Sequence, residues 1–313
     1  MISIRGLTKR YGKLTAVDNL WVDIERGDAF GFIGPNGAGK TTAITMLATL
    51  LRPDGGTAEV CGHDIRRDPR GVRAVVGYMP DFFGLYEDMK VWEYLDFFGA
   101  AHRVPYAKRR RLIGEVLELT DLGDQREGYV QALSRGMKQR LCLAKTLVHD
   151  PEVLLLDEPA SGLDPRARVE VRALLQELMK MDKTILISSH ILPELAELCN
   201  KIGIIEHGRL LAAGTPSQIQ SQLAGGTQLL LRLVGRDEEA CAFLQSLPAV
   251  ATARPAEGCI EVLYTGGEGS EHELLTALVM RGFQVRSFVP AGGNLEQIYM
   301  RATMGVQGNG RAG

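Results

Sequence analysis

Nine residues, GPNGAGKTT from Gly34 to Thr42, constrain this chain more than any other stretch. They carry the pattern G-x-x-x-x-G-K-[ST] over Gly34–Thr41. Glycines at those positions let the backbone curl so that successive N–H groups point at one anion, and a helix that follows adds the positive end of its dipole. Both flanks agree with that use. DAFGFIG (Asp28–Gly34) is a short apolar run ending in glycine, and KTTAITMLATLL after it is helical. A buried strand, a tight turn and a helix together make a cradle for a polyphosphate. Gly34, Pro35, Asn36, Gly37, Ala38, Gly39, Lys40, Thr41 and Thr42 are therefore the expected triphosphate-binding residues. Lys40 reaches the β- and γ-phosphates in such a loop, and the Thr41 hydroxyl is a ligand for Mg²⁺.

Strand-like and helix-like segments alternate as far as about Ala213. LWVDIE (Leu20–Glu25) alternates apolar and polar residues, as a half-buried antiparallel strand does. PEVLLLDEP (Pro151–Pro159) and KTILISSH (Lys183–His190) are continuous apolar runs with a helical stretch between them. Such runs suit strands buried on both faces of a parallel sheet, with the helix as crossover. The first ends in two acids. Asp157 stands where a second partner for Mg²⁺ is needed, and Glu158 is placed to polarise a water attacking the γ-phosphate. A helix-rich insert, about 84–148, separates the two halves. In it Val91, Tyr94, Leu95 and Phe98 fall on one helical face, while Lys108–Arg111 reads as a solvated basic face. Beyond about 225 the order becomes strand, helix, strand, strand, helix, strand, which predicts a small α/β domain of ferredoxin-like type over 225–303. A last helix, NLEQIYMRAT, and a glycine-rich tail, 304–313, complete the chain.

Composition removes several alternatives. With 36 basic and 38 acidic side chains the formal charge is −2, so no basic field argues for nucleic acid. Five scattered cysteines without metal-ligand spacing read as free thiols. The N-terminal residues show no secretory pattern, and no apolar run approaches the ~18–20 residues that cross a bilayer. A soluble protein is expected, with any membrane role supplied by a partner.

LSRGMKQR (Leu133–Arg140) narrows the kind of triphosphatase, because a serine and a glycine open a further helix suited to an anion. Here the chain resembles the ATP-binding cassette (ABC) ATPases, whose signature is L-S-G-G-Q. The resemblance covers about Met1 to Ser217, with the motifs in the family's order. It implies a P-loop cassette of α/β class over 1–220, with a RecA-like mixed sheet, an antiparallel β subdomain and a helical subdomain. It implies that Tyr11 stacks on adenine, that SGLD (Ser161–Asp164) is the D-loop, and that His190 is the switch histidine near the γ-phosphate. It further implies that two cassettes pack head to tail, so that Ser134 and Gly136 of one meet the γ-phosphate held by Lys40 of the other. One cassette per chain then implies a homodimer or a related second cassette, with ATP and Mg²⁺ bound between the copies.

The layout, a cassette followed by a small α/β domain, is similar to ATPase subunits of ABC-2-type exporters. That similarity implies a separate membrane permease, docked near Phe82, Phe83 and Tyr86 of the insert, and a place on the cytoplasmic side of the membrane. Asp81 departs from the family, which has glutamine there to bring an amide oxygen to Mg²⁺ and the attacking water. A carboxylate can still serve as a metal ligand but adds negative charge beside the γ-phosphate. Slower or more tightly gated hydrolysis is expected, and a low-turnover regulatory cassette stays open as the alternative. Arg135 and Met137 replace the usual glycine and glutamine of the signature.

Overall fold

The computed structural model describes residues 1–290 except 83, 220–225, 257 and 268. Phe83, the segment NLEQIYMRAT and the tail 304–313 lie outside the described residues. The chain divides into two compact units, Met1–Ala213 and Gly214–Gly313.

In the first unit, β1 (Ile2–Tyr11) and β2 (Leu14–Ile24) form an antiparallel hairpin with Ile2 opposite Ile24 and Ile4 opposite Val22. The alternation along β2 is the reason: Leu20, Val22 and Ile24 are buried while Trp21 and Asp23 face out. A strand over Gly55–Val60 (β4) pairs with the other edge of β1, and His63–Asp64 (β5) completes a sheet of order β2-β1-β4-β5.

The second sheet has six strands. Ala29–Ile33 (β3), Val153–Asp157 (β7) and Thr184–Ser189 (β8) are buried at every position, as their unbroken apolar runs require. Val76–Met79 (β6), Lys201–Glu206 (β9) and Arg209–Gly214 (β10) complete it in the order β10-β9-β3-β8-β7-β6. β3 runs parallel to β8 and β9, and β7 runs parallel to β6 and β8. Three carboxyl ends, those of β3, β7 and β8, therefore open on one edge, where α/β sheets hold their ligands. The helix between β7 and β8 (Pro165–Lys180, α6) buries Val171, Leu174, Leu175 and Leu178 and turns its remaining faces outward.

The insert packs three helices, Val91–Ala101 (α3), Tyr106–Leu119 (α4) and Arg135–Leu147 (α5). Val91, Tyr94 and Leu95 are buried, whereas Phe98 is only half-buried, its ring 4.9 Å from that of Tyr94 and 5.3 Å from the Lys145 ammonium. The basic head of α4 is not uniformly solvated. Lys108, Arg110 and Arg111 are exposed, but Arg109 turns inward to the carboxylate of Asp96 at 2.7 Å.

The second unit has Thr227–Leu233 (β11), a helix over Asp237–Gln245, Val250–Ala256 (β12), Cys259–Tyr264 (β13), a helix over Glu271–Met280 and Val285–Pro290 (β14). The sheet order is β12-β13-β11-β14, antiparallel throughout, which is the ferredoxin-like arrangement. Its core is its own: Leu229, Leu231, Ile260, Val262 and Tyr264 from the sheet meet Leu244, Leu274 and Leu278 from the helices.

After α5 the His149 ring stacks on His102 at 3.7 Å while its Nε2 contacts the Val76 carbonyl oxygen at 3.0 Å. Burial first, and the neighbouring His102 second, push the His149 pKa down from 6.5 to about 4. The unfolded chain therefore takes up this proton before the folded one does, and stability is lost as pH falls through the window from 6.5 to about 4. In chemical denaturation the loss is on the order of 1 kcal/mol per pH unit, and His149→Gln flattens it; a pH profile identical in the two proteins would rule this out.

Candidate active site

Two of the cradle's glycines are required by close approach. A Cβ on Gly34 would lie 2.2 Å from the Ile205 carbonyl oxygen. Gly39, at φ 105°, would place one 2.3 Å from the Ala16 carbonyl oxygen. The loop is thus pressed between β9 and β2, and the β9–β10 turn fastens it. Gly208 N donates to the Ala38 carbonyl at 2.9 Å, and the Gly208 carbonyl accepts from Asp18 N at 2.8 Å. Lys40 opens the helix over Lys40–Leu47 (α1) and is nearly buried. Its ammonium donates to the carbonyls of Gly34 (2.7 Å) and Pro35 (3.3 Å) and stands 3.5 Å from Glu158 Oε1.

Asp157 ends β7 with no solvent exposure. Its Oδ1 accepts from the Ser188 hydroxyl at 2.5 Å, while Oδ2 is buried without a hydrogen-bond partner among the described residues. Burial pushes this carboxyl above the usual range and the charge of Asp81 adds to it, against the Ser188 and Thr41 hydroxyls and Lys40, which pull it down. Glu158, next in the chain, has φ 50°, a left-handed conformation uncommon for its residue type. Its N–H donates to Ser188 Oγ at 2.9 Å and its Oε2 lies 3.0 Å from His190 Nδ1. The other oxygen, Oε1, is also buried without a hydrogen-bond partner.

Lys40, Asp157, Glu158 and His190 are therefore one cluster, with Thr41 at its side and the exposed Asp81 at its margin. Ser134 instead caps its own helix, accepting from Met137 N at 3.3 Å, and Asp164 caps α6, accepting from Ala167 N at 2.9 Å. Tyr11 ends β1 half-exposed, its ring 5.6 Å from the Lys9 ammonium. No hydrogen bond or ion pair joins Tyr11, Ser134 or Asp164 to the cluster among the described residues.

Two residues that matter here escape a reading by motif. Ser188 is buried and bonds both acids; its only signal is a pair of hydroxyls closing an apolar run. Gln139 is buried within α5 and donates from Nε2 to the Pro159 carbonyl at 2.6 Å.

The donors fit a triphosphate with a hard cation. Two buried carboxylate oxygens lack partners, a hydroxyl adjoins one of them, and a lysine stands beside the other. Among the described residues no group of three or more His, Cys, Asp or Glu side chains converges on a metal. Because its pKa is raised on folding, ionised Asp157 costs stability, and the cost grows as pH rises from the ordinary carboxylate value through the folded one. Asp157→Asn is expected to raise the nucleotide-free melting temperature by roughly 2–4 °C while abolishing any further rise produced by Mg²⁺ with ATP. A Mg²⁺-dependent rise that survives the substitution would remove Asp157 from the metal site.

Comparison with known proteins finds relatives of this chain. A family model described as ABC transporter matches residues 17–161. A Nod factor export ATP-binding protein of Ralstonia nicotianae is 41% identical over 219 residues, covering 70% of this chain and 68% of the relative. A daunorubicin/doxorubicin resistance ATP-binding protein of Streptomyces peucetius is 34% identical over 304 residues, covering 96% and 92%. Among solved structures, an ATP-binding subunit of an ABC transporter superposes with a TM-score of 0.65 at 27% identity, covering 71% of this chain and 92% of its own.

Proposed function

The chain belongs to the ABC transporter family, and from that premise we propose that it is the ATP-binding and ATP-hydrolysing subunit of an exporter whose membrane-spanning part is a separate chain. The observation that carries the reading is the position of Glu158, between Lys40 and His190 and next in the chain to buried Asp157, one oxygen of which has no partner among the described residues.

The roles follow from the donors. Backbone N–H groups of Gly34–Thr42 and the Lys40 ammonium bind the triphosphate, and Tyr11 stacks on adenine. Thr41, Asp157 and Asp81 would hold Mg²⁺, which would supply positive charge to offset that of the triphosphate. Glu158 accepts the proton of the attacking water, and His190, 3.0 Å from its Oε2, keeps that carboxylate oriented. Ser134 and Gly136, at the start of a helix with no acid in its first turn, lid the triphosphate of a second copy. Asp164, beside that lid, belongs to the same seam.

Exporter coupling has a surface to work through. Tyr86 is exposed, with Phe97 and Phe98 packed around its ring at 5.6 and 6.5 Å, and Phe82 is 90% exposed nearby in the chain. Aromatic groups left in solvent on the insert suit an apolar partner, here the cytoplasmic face of an ABC-2-type permease. Among the described residues no helix is long and apolar enough to cross a membrane. The named relatives are a Nod factor export protein and a daunorubicin/doxorubicin resistance protein, which supports a role in export.

Glu158→Gln should lower ATP turnover about 10²-fold or more while ATP with Mg²⁺ drives the protein into dimers measurable by light scattering. Dimers that fail to form under saturation would sink the two-copy reading, and turnover that survives would sink the role of Glu158. Asp81 favours a second reading, a low-turnover switch, because its charge already burdens Asp157. Asp81→Gln should raise kcat severalfold with KM for ATP little changed; kcat and Mg²⁺ dependence identical to wild type would show that the position carries no such role.

A further inference from the structure

Between Asp96 and Glu115 the insert carries Arg103, Lys108, Arg109, Arg110 and Arg111 and no acid. The structure gives these cations two different settings. Arg109 is the inward one: its Nε donates to Asp96 at 2.7 Å and its Nη1 to the Val104 carbonyl at 3.2 Å. Its stem closes on Gly99 of α3, where a Cβ would lie 3.0 Å from Arg109 Cδ, and its guanidinium stands 5.2 Å from the Tyr106 ring. The head of α4 is thereby pinned to α3. Arg103, Lys108 and Arg110 are exposed and, among the described residues, their side chains have no hydrogen bond or ion pair. Arg111, also exposed, meets only Glu115, at 3.4 Å. Tyr106, between Arg103 and Lys108 in the chain, is 80% exposed.

α4 opens with no acid in its first turn and no side-chain cap. Its cations therefore stand at the positive end of the helix dipole, where like charge is destabilising. The whole chain carries −2, so this is a local field and not a consequence of net charge. A partner with dense negative charge would reverse the cost. Exposed arginine and lysine beside an exposed tyrosine suit the polar boundary of a bilayer with anionic lipid. α4 packs on α3, whose Phe97 belongs to the aromatic surface offered to the permease. We propose that Arg103, Tyr106, Lys108, Arg110 and Arg111 form a docking surface for anionic phospholipid headgroups of the membrane that holds the permease. The choice of a bilayer rests on the proposed exporter role. The insert then meets the lipid surface and its embedded partner together, and the lipid contact orients the chain before the permease is engaged.

Co-sedimentation of the full chain with vesicles, without nucleotide, tests this. The protein should pellet with mixed phosphatidylcholine and phosphatidylglycerol vesicles but not with phosphatidylcholine alone, and added salt should release it. Lys108→Gln, Arg110→Gln and Arg111→Gln together should weaken the partition about 100-fold, at roughly fivefold for each cation. ATP turnover in solution should stay at the wild-type value. Arg66→Gln, Arg67→Gln and Arg70→Gln remove as much exposed charge elsewhere on the same unit and should leave binding unchanged. Equal pelleting with neutral and anionic vesicles, or equal losses in the two triple variants, would overturn the proposal. So would a chain that ignores both vesicles yet binds polyglutamate, which would assign the patch to an acidic protein segment. The assay uses no ATP, so its failure is distinct from a failure of Glu158 to hydrolyse it.

Discussion

A single buried hydroxyl organises the candidate active-site edge of this molecule. Ser188 donates to Asp157 at 2.5 Å and accepts from the N–H of Glu158 at 2.9 Å, fixing two successive acids from a neighbouring strand. Side chains on successive residues of a strand point to opposite faces, so Asp157 turns into the core toward Thr41 while Glu158 leaves the strand. The left-handed backbone at Glu158 completes that divergence. Lys40 and His190 then meet the second acid from either side. Without the parallel register that puts Asp157 beside Ser188, these groups would be scattered over a hundred residues of chain with no common geometry.

The cost of this arrangement falls on Asp157. A carboxylate with no exposure and an unpartnered oxygen is unfavourable by itself. Under the proposed function, a cation brought in with a polyphosphate would compensate it and link nucleotide binding to the stability of the edge. Asp81 sharpens the link, because a second negative charge near the first makes the site still more demanding of positive charge.

Much of the fold was legible because its signals are local. The apolar runs at Asp28–Gly34, Pro151–Pro159 and Lys183–His190 became fully buried strands, and the strand-helix order after 225 became an antiparallel sheet of ferredoxin-like order. Helical periodicity placed Val91, Tyr94 and Leu95 in the insert's core but could not separate Phe98, whose ring lies half-buried among other aromatics and a lysine. Likewise a run of four basic residues gave no sign that Arg109 turns to Asp96, since an ion pair across two helices depends on their crossing and not on either pattern alone.

By itself the sequence determined the turn between β3 and α1, because the glycines of Gly34–Thr42 specify its backbone shape, and with the lysine after them it predicts a phosphate cradle there. It also determined the two acids at the end of β7 and the family to which the order of motifs belongs. Tertiary structure alone decided that Gly34 and Gly39 are pressed against Ile205 and Ala16, that Ser188 joins the acids, and that Gln139 bonds the Pro159 carbonyl behind Glu158. The reason is distance along the chain. A cradle closes over a few residues whose dihedral preferences are written locally, whereas each of those contacts joins elements that only the packed sheet and its insert bring within reach.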